Sequence, residues 1–282
     1  VEADEGVVPP QKIVYPPVGA RLSSFVEGWS RITSDPYILS LLRRGYRIPL
    51  DRTPPLRRTP LCITRPKSRE ALTQLHQELR DLHLKKAVGR VINPGLGYYS
   101  QVFLVPKSTG GFRPVINLRG LNQHIVAPSF VMHTNSSVLD IVKPGDWAFT
   151  VDLKDAYLHV PIHPRSQHLL RFAWSDQEVY QFRALPFGLN TAPYIFTKLV
   201  KIVGTHLHRL GITVVPYLDD WLFLHQDRNV LLEHQTIVLQ LLKQLGFLLN
   251  VEKSKLVPSQ DVQFLGMRLL LLQGMACLPQ ER

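Results

Sequence analysis

The sequence predicts an α+β fold, with helices packed on one face of an antiparallel sheet. Three observations carry that prediction. From residue 146 onward the elements read strand, hairpin, helix, hairpin, helix, strand, without the regular repetition of a parallel βαβ fold. Strand-like apolar runs are interrupted by short turn-forming groups, Ser108-Thr109-Gly110-Gly111 and Ser175-Asp176, as hairpins require. Segments 68–86, 191–211 and 229–246 read as helices bounded by capping residues.

The composition agrees. A chain of 282 residues with 45% apolar and 20% charged residues can bury a sizeable core in one or two domains and is not a disordered polymer. Its formal net charge of +11 points to nucleic acid or an anionic surface. Cys62 and Cys277 are far apart and form no CxxC pattern, which argues against a disulfide framework or a zinc knuckle. An intracellular setting, cytoplasmic or nuclear, is the expectation. The start, VEADEGVVPP, has neither Met nor an apolar signal core, and no apolar run reaches the roughly 18 residues of a membrane span. The chain therefore reads as a soluble piece of something longer, with no membrane partner.

Eleven of the 22 prolines fall in the first 94 residues. That density predicts an irregular, extended, proline-rich leader over 1–67, with one helical patch near 19–44. Its arginines 43, 44, 47, 57, 58 and 65 suit phosphate contacts or a merely solvated surface. Residues 68–145 form a second region. Its helix, 68–86, carries Leu72, Leu75, Leu79 and Leu82 on one face, with Ser68 as cap and Lys85 and Lys86 in the last turn. The hairpin YYSQVFLVPKSTGGFRPVINLR follows, then a polar connection. The third region, 146–282, opens with a strand ending near Asp152 and a short helical turn. A hairpin over 170–186 comes next, and then a helix with Thr191 as cap. VVPYLDDWLFLH forms another hairpin. A helix capped by Asn229 and closed by Gly246 leads to the last strand-like run, VQFLGMRLLLL.

The adjacent Asp219 and Asp220 sit between two apolar runs. Aspartates suit a solvated hairpin tip, and they equally suit a metal site if a third carboxylate lies near. Asp152 is the candidate. A strand at 147–152 lying beside the 214–224 hairpin would set Asp152 opposite Asp219. Close buried carboxylates need a counter-charge, and Mg²⁺ binds through one or two carboxylates together with substrate phosphates. Two such ions support in-line phosphoryl transfer, in polymerases and in nucleases alike. Lys107 and Arg113, one at each foot of a flexible turn, suit a polyphosphate or form an exposed basic hairpin.

Six ordered stretches, VFLVPKSTGGFRPVINLRGLN, FTVDLKDAY, LPFGLNTAPYIF, YLDD, LGFLLNVEKS and QFLGM, resemble the reverse-transcriptase motifs over about residues 85–282. The finer pattern, including RLSSFVEGWSRITSDPYIL, is similar to DIRS-type retrotransposons. The resemblance implies the fingers and palm of a right-hand polymerase, an antiparallel palm sheet backed by helices with the thumb absent, and RNA-directed DNA synthesis. The two regions would interleave around 163–190. The implied partners are an RNA template, a DNA primer, dNTP, and the thumb and RNase H domains of the same polyprotein. The implied cofactor is a pair of Mg²⁺ ions, with Mn²⁺ as substitute.

By the same resemblance Asp152, Asp219 and Asp220 would be the catalytic carboxylates, and the Leu153 carbonyl would join the nucleotide-bound ion. Lys107 and Arg113 would hold the triphosphate. Tyr157 would act as a steric gate against the ribose 2′-hydroxyl, and is otherwise a core aromatic. Phe187 and Gly188 would line the pocket. Lys253 would donate a proton to pyrophosphate, and is otherwise a surface lysine. Phe264, Leu265, Gly266 and Met267 would form the primer grip. Two further readings stand beside a polymerase: a non-catalytic nucleic-acid-binding remnant, and a two-metal nuclease, which leaves Lys107, Arg113 and Tyr157 without a role.

Overall fold

The computed structural model describes residues 15–60, 66, 68–108, 110–132, 135–175 and 178–278. The first ten residues, Cys62, Arg65, Thr109 and Asp176 lie outside them. The central element is a four-stranded antiparallel sheet. It is built from β4 (Trp147–Asp152), β7 (Thr213–Tyr217), β8 (Asp220–His225) and β9 (Lys255–Ser259), in the order β7-β8-β4-β9.

Strand alternation gives this sheet two apolar faces. Phe149, Val151, Val214, Trp221 and Phe223 belong to the main core, with α7 (Ala192–Arg209) and α8 (Arg228–Leu245). The Phe149 and Phe223 rings stack at 4.6 Å across the β4–β8 pair, adding about 1 kcal/mol to their burial. Ala148, Val215, Leu222 and Leu224 face the other way, into a second cluster. That cluster is completed by Val138 of α5 (Asn135–Ile141) and by the hairpin of β10 (Asp261–Phe264) and β11 (Met267–Leu270), to which β12 (Met275–Cys277) is added.

The remaining strands form two smaller sheets. β2 (Val102–Pro106) and β3 (Phe112–Ile116) make a hairpin. β1 (Val88–Val91), β6 (Glu178–Phe182) and β5 (Arg171–Ser175) make an antiparallel sheet in that order. Short helices α4 (Arg119–Asn122) and α6 (Pro164–Gln167) lie in the connections. β1, β9, α4 and α5 were not read from the sequence, because each is short and its neighbours are distant in the chain.

Four expectations need correction. The helical patch expected near 19–44 is present, as a 3₁₀ turn, α1 (Val26–Ser30) and α2 (Pro36–Arg44), but it is not part of a separate leader: Leu22, Trp29, Ile38 and Leu42 are buried in the main core. Trp29 Nε1 donates to the Leu245 carbonyl at 2.9 Å and Arg21 Nε to that of Gly246 at 2.6 Å, so this segment satisfies carbonyls left open at the end of α8. In α3 (Arg69–Leu84), Ser68 caps by accepting from the Ala71 N–H, but Leu72 is exposed and the buried stripe is Leu75, Leu79 and Leu82. Asp227, not Asn229, caps α8, since its carboxylate accepts the N–H groups of Asn229 and Val230; Gly246 closes it in a left-handed conformation. Thr191 stands at the N-cap of α7 without a capping bond, its own backbone already being helical.

Candidate active site

β4 and β8 end together. Asp152 pairs in register with Asp220, so their side chains leave the same face of the sheet, the face that carries the β10–β11 hairpin. This corrects the expected Asp152–Asp219 pairing. Tyr217 pairs with Asp220, which places Leu218 and Asp219 in a two-residue turn. Leu218 has φ 51°, a left-handed conformation unfavourable for a side chain of its size. The surroundings hold it there. The Leu153 N–H donates to the Asp219 carbonyl at 2.7 Å, and Trp221 Nε1 to the Leu218 carbonyl at 2.7 Å.

The three carboxylates feel one another. Asp220 is pushed up to about 7 by burial and then by Asp152 and Asp219, against the pull of Lys253. Asp152 is raised by burial and by Asp219, and lowered by Lys253. Asp219 is raised by its crowded surroundings, although it stands exposed at the turn. Lys253 is thus the cation that reaches all three. The Asp152 backbone is fixed from β9's approach: its N–H donates to Ser254 Oγ at 3.0 Å, and Ser254 donates in turn to the Asn250 carbonyl at 2.7 Å. No three acidic, His or Cys side chains form a ready-made cation cage among the described residues. Paired carboxylates with raised pKa and one lysine are nevertheless a donor set that a hard divalent cation with phosphate oxygens would complete.

In front of the turn lies a cleft of about 340 Å³ whose walls include Lys107, Arg113, Tyr157, Phe187, Leu218 and Asp219. The β2–β3 hairpin therefore brings both expected cations to the same cavity as Asp219, one of the three expected carboxylates. The Arg113 guanidinium lies over the Phe187 ring at 4.3 Å, and among the described residues it has no acidic partner. Tyr157 stacks on Phe187 at 6.1 Å and meets Phe196 edge-on at 5.5 Å. Burial and the neighbouring Asp219 push its hydroxyl up to about 12, so it is neutral at working pH. Gly188 has φ 107°, and a Cβ there would stand 3.1 Å from the Ile116 carbonyl. Asn122 Nδ2 donates to the Gly188 carbonyl at 3.0 Å. Leu153 is buried beneath the turn, and Gly188 and Lys253 flank the cleft rather than line it.

Phe264, Leu265, Gly266 and Met267 are the tip of the β10–β11 hairpin, with φ 50° at Leu265 and 71° at Gly266, while Phe264 and Met267 are buried in the second cluster. They share the sheet face of Asp152 and Asp220 but not the cleft.

Sequence reasoning missed Lys85 and Asp155, both in the cleft wall. Lys85 Nζ lies 2.9 Å from Asp81 and 3.1 Å from Asp155, tying the end of α3 to the segment after β4. Asp155 also takes a left-handed conformation, φ 54°. The one available signal was its place three residues beyond Asp152. Nothing in the chain marks its partner 70 residues earlier.

Comparisons with known proteins bear on the family and the fold. A family model described as reverse transcriptase (RNA-dependent DNA polymerase) matches residues 105–269. The chain is 32% identical over 158 residues to an enzymatic polyprotein of Cestrum yellow leaf curling virus, covering 56% of this chain and 24% of that one. It is 30% identical over 174 residues to the Gag-Pol polyprotein of Walleye dermal sarcoma virus, covering 61% and 10%. The chain thus spans about a quarter or less of these relatives. A foamy viral protease-reverse transcriptase solved in complex with dsDNA aligns with a TM-score of 0.68 at 18% identity, over 95% of this chain and 58% of that one, and shows the shared fold. With its matched segment running from the β2–β3 hairpin to β11, the chain belongs to the reverse transcriptase (RNA-dependent DNA polymerase) family.

Proposed function

We propose that the chain is the fingers and palm of an RNA-directed DNA polymerase, which adds a dNTP to a primer 3′-hydroxyl on an RNA or DNA template. The observation that carries this reading is the meeting of Lys107, Arg113, Tyr157 and Asp219 around one cleft, beside registered Asp152 and Asp220. A nuclease has no triphosphate for the basic hairpin to hold. A pair of Mg²⁺ ions, or Mn²⁺, held by the three aspartates and the Leu153 carbonyl would supply activation of the hydroxyl and charge neutralisation on the leaving pyrophosphate.

The chain's own groups do the rest. Lys107 and Arg113 bind and orient the triphosphate, Arg113 already aimed by its stack on Phe187. Tyr157, wedged between Phe187 and Phe196, presents a fixed wall where a ribose 2′-hydroxyl would need room. Lys253, beside the carboxylates, is placed to give a proton to the departing pyrophosphate. The β10–β11 tip steadies the primer end. A DIRS-type retrotransposon origin is supported by the segment RLSSFVEGWSRITSDPYIL, which the structure packs against the catalytic core.

Single-nucleotide primer extension on an RNA template with Mg²⁺ tests the reading. Incorporation by the wild-type chain and none by Asp152→Asn, with primer–template still bound by both, is the expected result. Equal incorporation by the variant would remove the metal assignment. Binding without incorporation by either would favour a nucleic-acid-binding remnant.

A further inference from the structure

We propose that a basic groove between the N-terminal segment and the outer face of α7 is a second nucleic-acid contact, taking phosphates of the primer–template duplex outside the catalytic cleft. This rests on the polymerase reading above and extends the contact surface to a part of the chain that the matched family segment does not include.

The groove, about 640 Å³, runs between the 30–35 turn and α7, and its walls carry Arg31, Lys198, Lys201, His206 and Arg209. The pattern of α7 explains the cluster. Ile195, Phe196, Leu199, Val200, Val203 and Leu207 are buried, so Lys198, Lys201, Thr205 and Arg209, three to four residues apart, form a stripe on the opposite side. The one acid in the groove wall, Asp35, has a carboxylate oxygen engaged by the N–H groups of Tyr37 and Ile38 at the start of α2. Arg31 pairs with exposed Glu27 at 3.1 Å; among the described residues no ion pair involves Lys198, Lys201 or Arg209. Like charges gathered without acids repel, and a polyanion relieves that repulsion.

Two features favour nucleic acid over a lipid surface. Lys198 lies over the rings of Tyr37 and Tyr194, at 4.8 and 5.4 Å, and Tyr37 is half exposed. Aromatic rings interleaved with cations suit nucleotides. The groove also lies one depression away from the active site. A depression of about 510 Å³ shares Lys201 and Thr205 with it and reaches Tyr217 and Leu218, and Leu218 lines the nucleotide cleft as well. A series of neighbouring concavities of this kind fits a strand rather than a bilayer.

The test compares the wild-type chain with the triple variant Lys198→Gln, Lys201→Gln, Arg209→Gln, and with a control, Arg69→Gln, Arg80→Gln, Lys243→Gln, on exposed positions of α3 and α8. Primer–template affinity is measured by fluorescence anisotropy across a salt series. The groove variant is expected to bind about 10-fold or more weakly near 0.1 M salt, with the slope of log affinity against log salt reduced by about 2 to 3, the value for three lost phosphate contacts. The control should retain the wild-type slope, and the groove variant should still incorporate nucleotide at saturating primer–template. Unchanged affinity and slope, with the wild type binding, would overturn the groove and leave the polymerase reading intact. Equal losses in both variants would reduce the effect to net charge and overturn it too. So would loss of binding to phosphatidylserine vesicles with duplex affinity unchanged. A wild-type chain that binds no primer–template would remove both readings.

Discussion

Two two-residue hairpin turns, at the β10–β11 and β7–β8 tips, differ in how they hold a leucine in the left-handed conformation. At the β10–β11 tip, Leu265 and Gly266 both have positive φ, 50° and 71°. That is the pattern of the hairpin turn that matches strand twist, and glycine adopts it at no steric cost. At the β7–β8 tip Leu218 has φ 51°, but it is followed by Asp219, whose φ is not positive, instead of by a glycine. Here the conformation is held from outside, by Leu153 N–H and Trp221 Nε1 on the two turn carbonyls. One turn is encoded by its own residues. The other is imposed by the core beneath it, as strained positions at functional sites are, and its reward is a carboxylate at the cleft mouth.

The sharpest way to separate them is to change the residues that distinguish them. Asp219→Asn should lower nucleotide incorporation by about 1,000-fold or more, the scale on which single catalytic groups act, with the melting temperature unchanged or raised. Gly266→Ala should leave the metal-dependent step nearly intact. A loss of activity at Asp219 that is matched by global unfolding would erase the distinction, and circular dichroism on the same samples decides it.

A second prediction concerns the cost of that carboxylate cluster. Asp220 titrates near 7 in the fold against 3.8 ordinarily. Between those values the native state holds a proton that the unfolded state has lost, so stability from this group is full below about 4 and declines as pH rises through 7. Buried His159 acts oppositely over the same window: burial and Arg21 lower it to about 4, so its contribution is lost as pH falls from about 6.5 toward 4. Only the difference between wild type and Asp220→Asn is therefore diagnostic. In metal-free buffer the variant should gain stability on the wild type as pH rises from 5 to 8, by about 1–2 kcal/mol, and Mg²⁺ with dNTP should shrink that gain. Parallel pH profiles would show that neither burial nor the neighbouring aspartates raise Asp220.

How legible each region was follows from the same contrast. The buried stripe of α3 followed from spacing with only Leu72 misplaced, whereas VQFLGMRLLLL reads as one strand and the turn at Leu265-Gly266 divides it into β10 and β11. The Asp152 motif and YLDD were legible as chemistry, but their register was not. Pairing Asp152 with Asp220 depends on where β4 ends, and a one-residue slip exchanges the faces. Lys85 and Asp155 were illegible for a different reason, since their ion pair joins elements 70 residues apart. The N-terminal segment misled most. Its helical patch was legible but its docking was not, since prolines argued for a separate leader, yet Trp29 and Leu22 are wholly buried and Gly28 lies so close to Gln244 that a Cβ would stand 2.4 Å from its carbonyl. Proline density reports local backbone restriction, not whether the intervening apolar residues find a core.

That docking, onto the end of α8, yields a stability prediction of middle size. Trp29→Ala removes a buried ring and leaves the Leu245 carbonyl without its donor. A loss of about 3–5 kcal/mol is expected in chemical denaturation. Gly266→Ala, with no atom near the added Cβ, should cost only about 1 kcal/mol from left-handed strain. If Trp29→Ala cost no more than Gly266→Ala, the N-terminal segment would be an attachment rather than part of the core.

The smallest expected effect is the most informative about the imposed turn. Leu218→Gly relieves about 1 kcal/mol of left-handed strain. It also loosens the unfolded chain by a similar amount and gives up the packing of a half-buried leucine. The net stability change should lie within about 1 kcal/mol. Leu265→Gly at the encoded turn should be equally neutral, so stability cannot tell the two apart. Activity can. Once Leu218 is glycine, the left-handed state no longer has to be held against strain, and the tip gains alternatives in which Asp219 leaves the cleft. Incorporation should fall several-fold at saturating dNTP while primer–template affinity holds. Trp221→Phe, which removes the Nε1 donor from the Leu218 carbonyl, should shift incorporation in the same direction, and its addition to Leu218→Gly should cost less than the sum of the two. Strict additivity, or a full-rate Leu218→Gly enzyme, would mean that the tip is positioned by its strands alone and that the strain at Leu218 has no part in presenting Asp219.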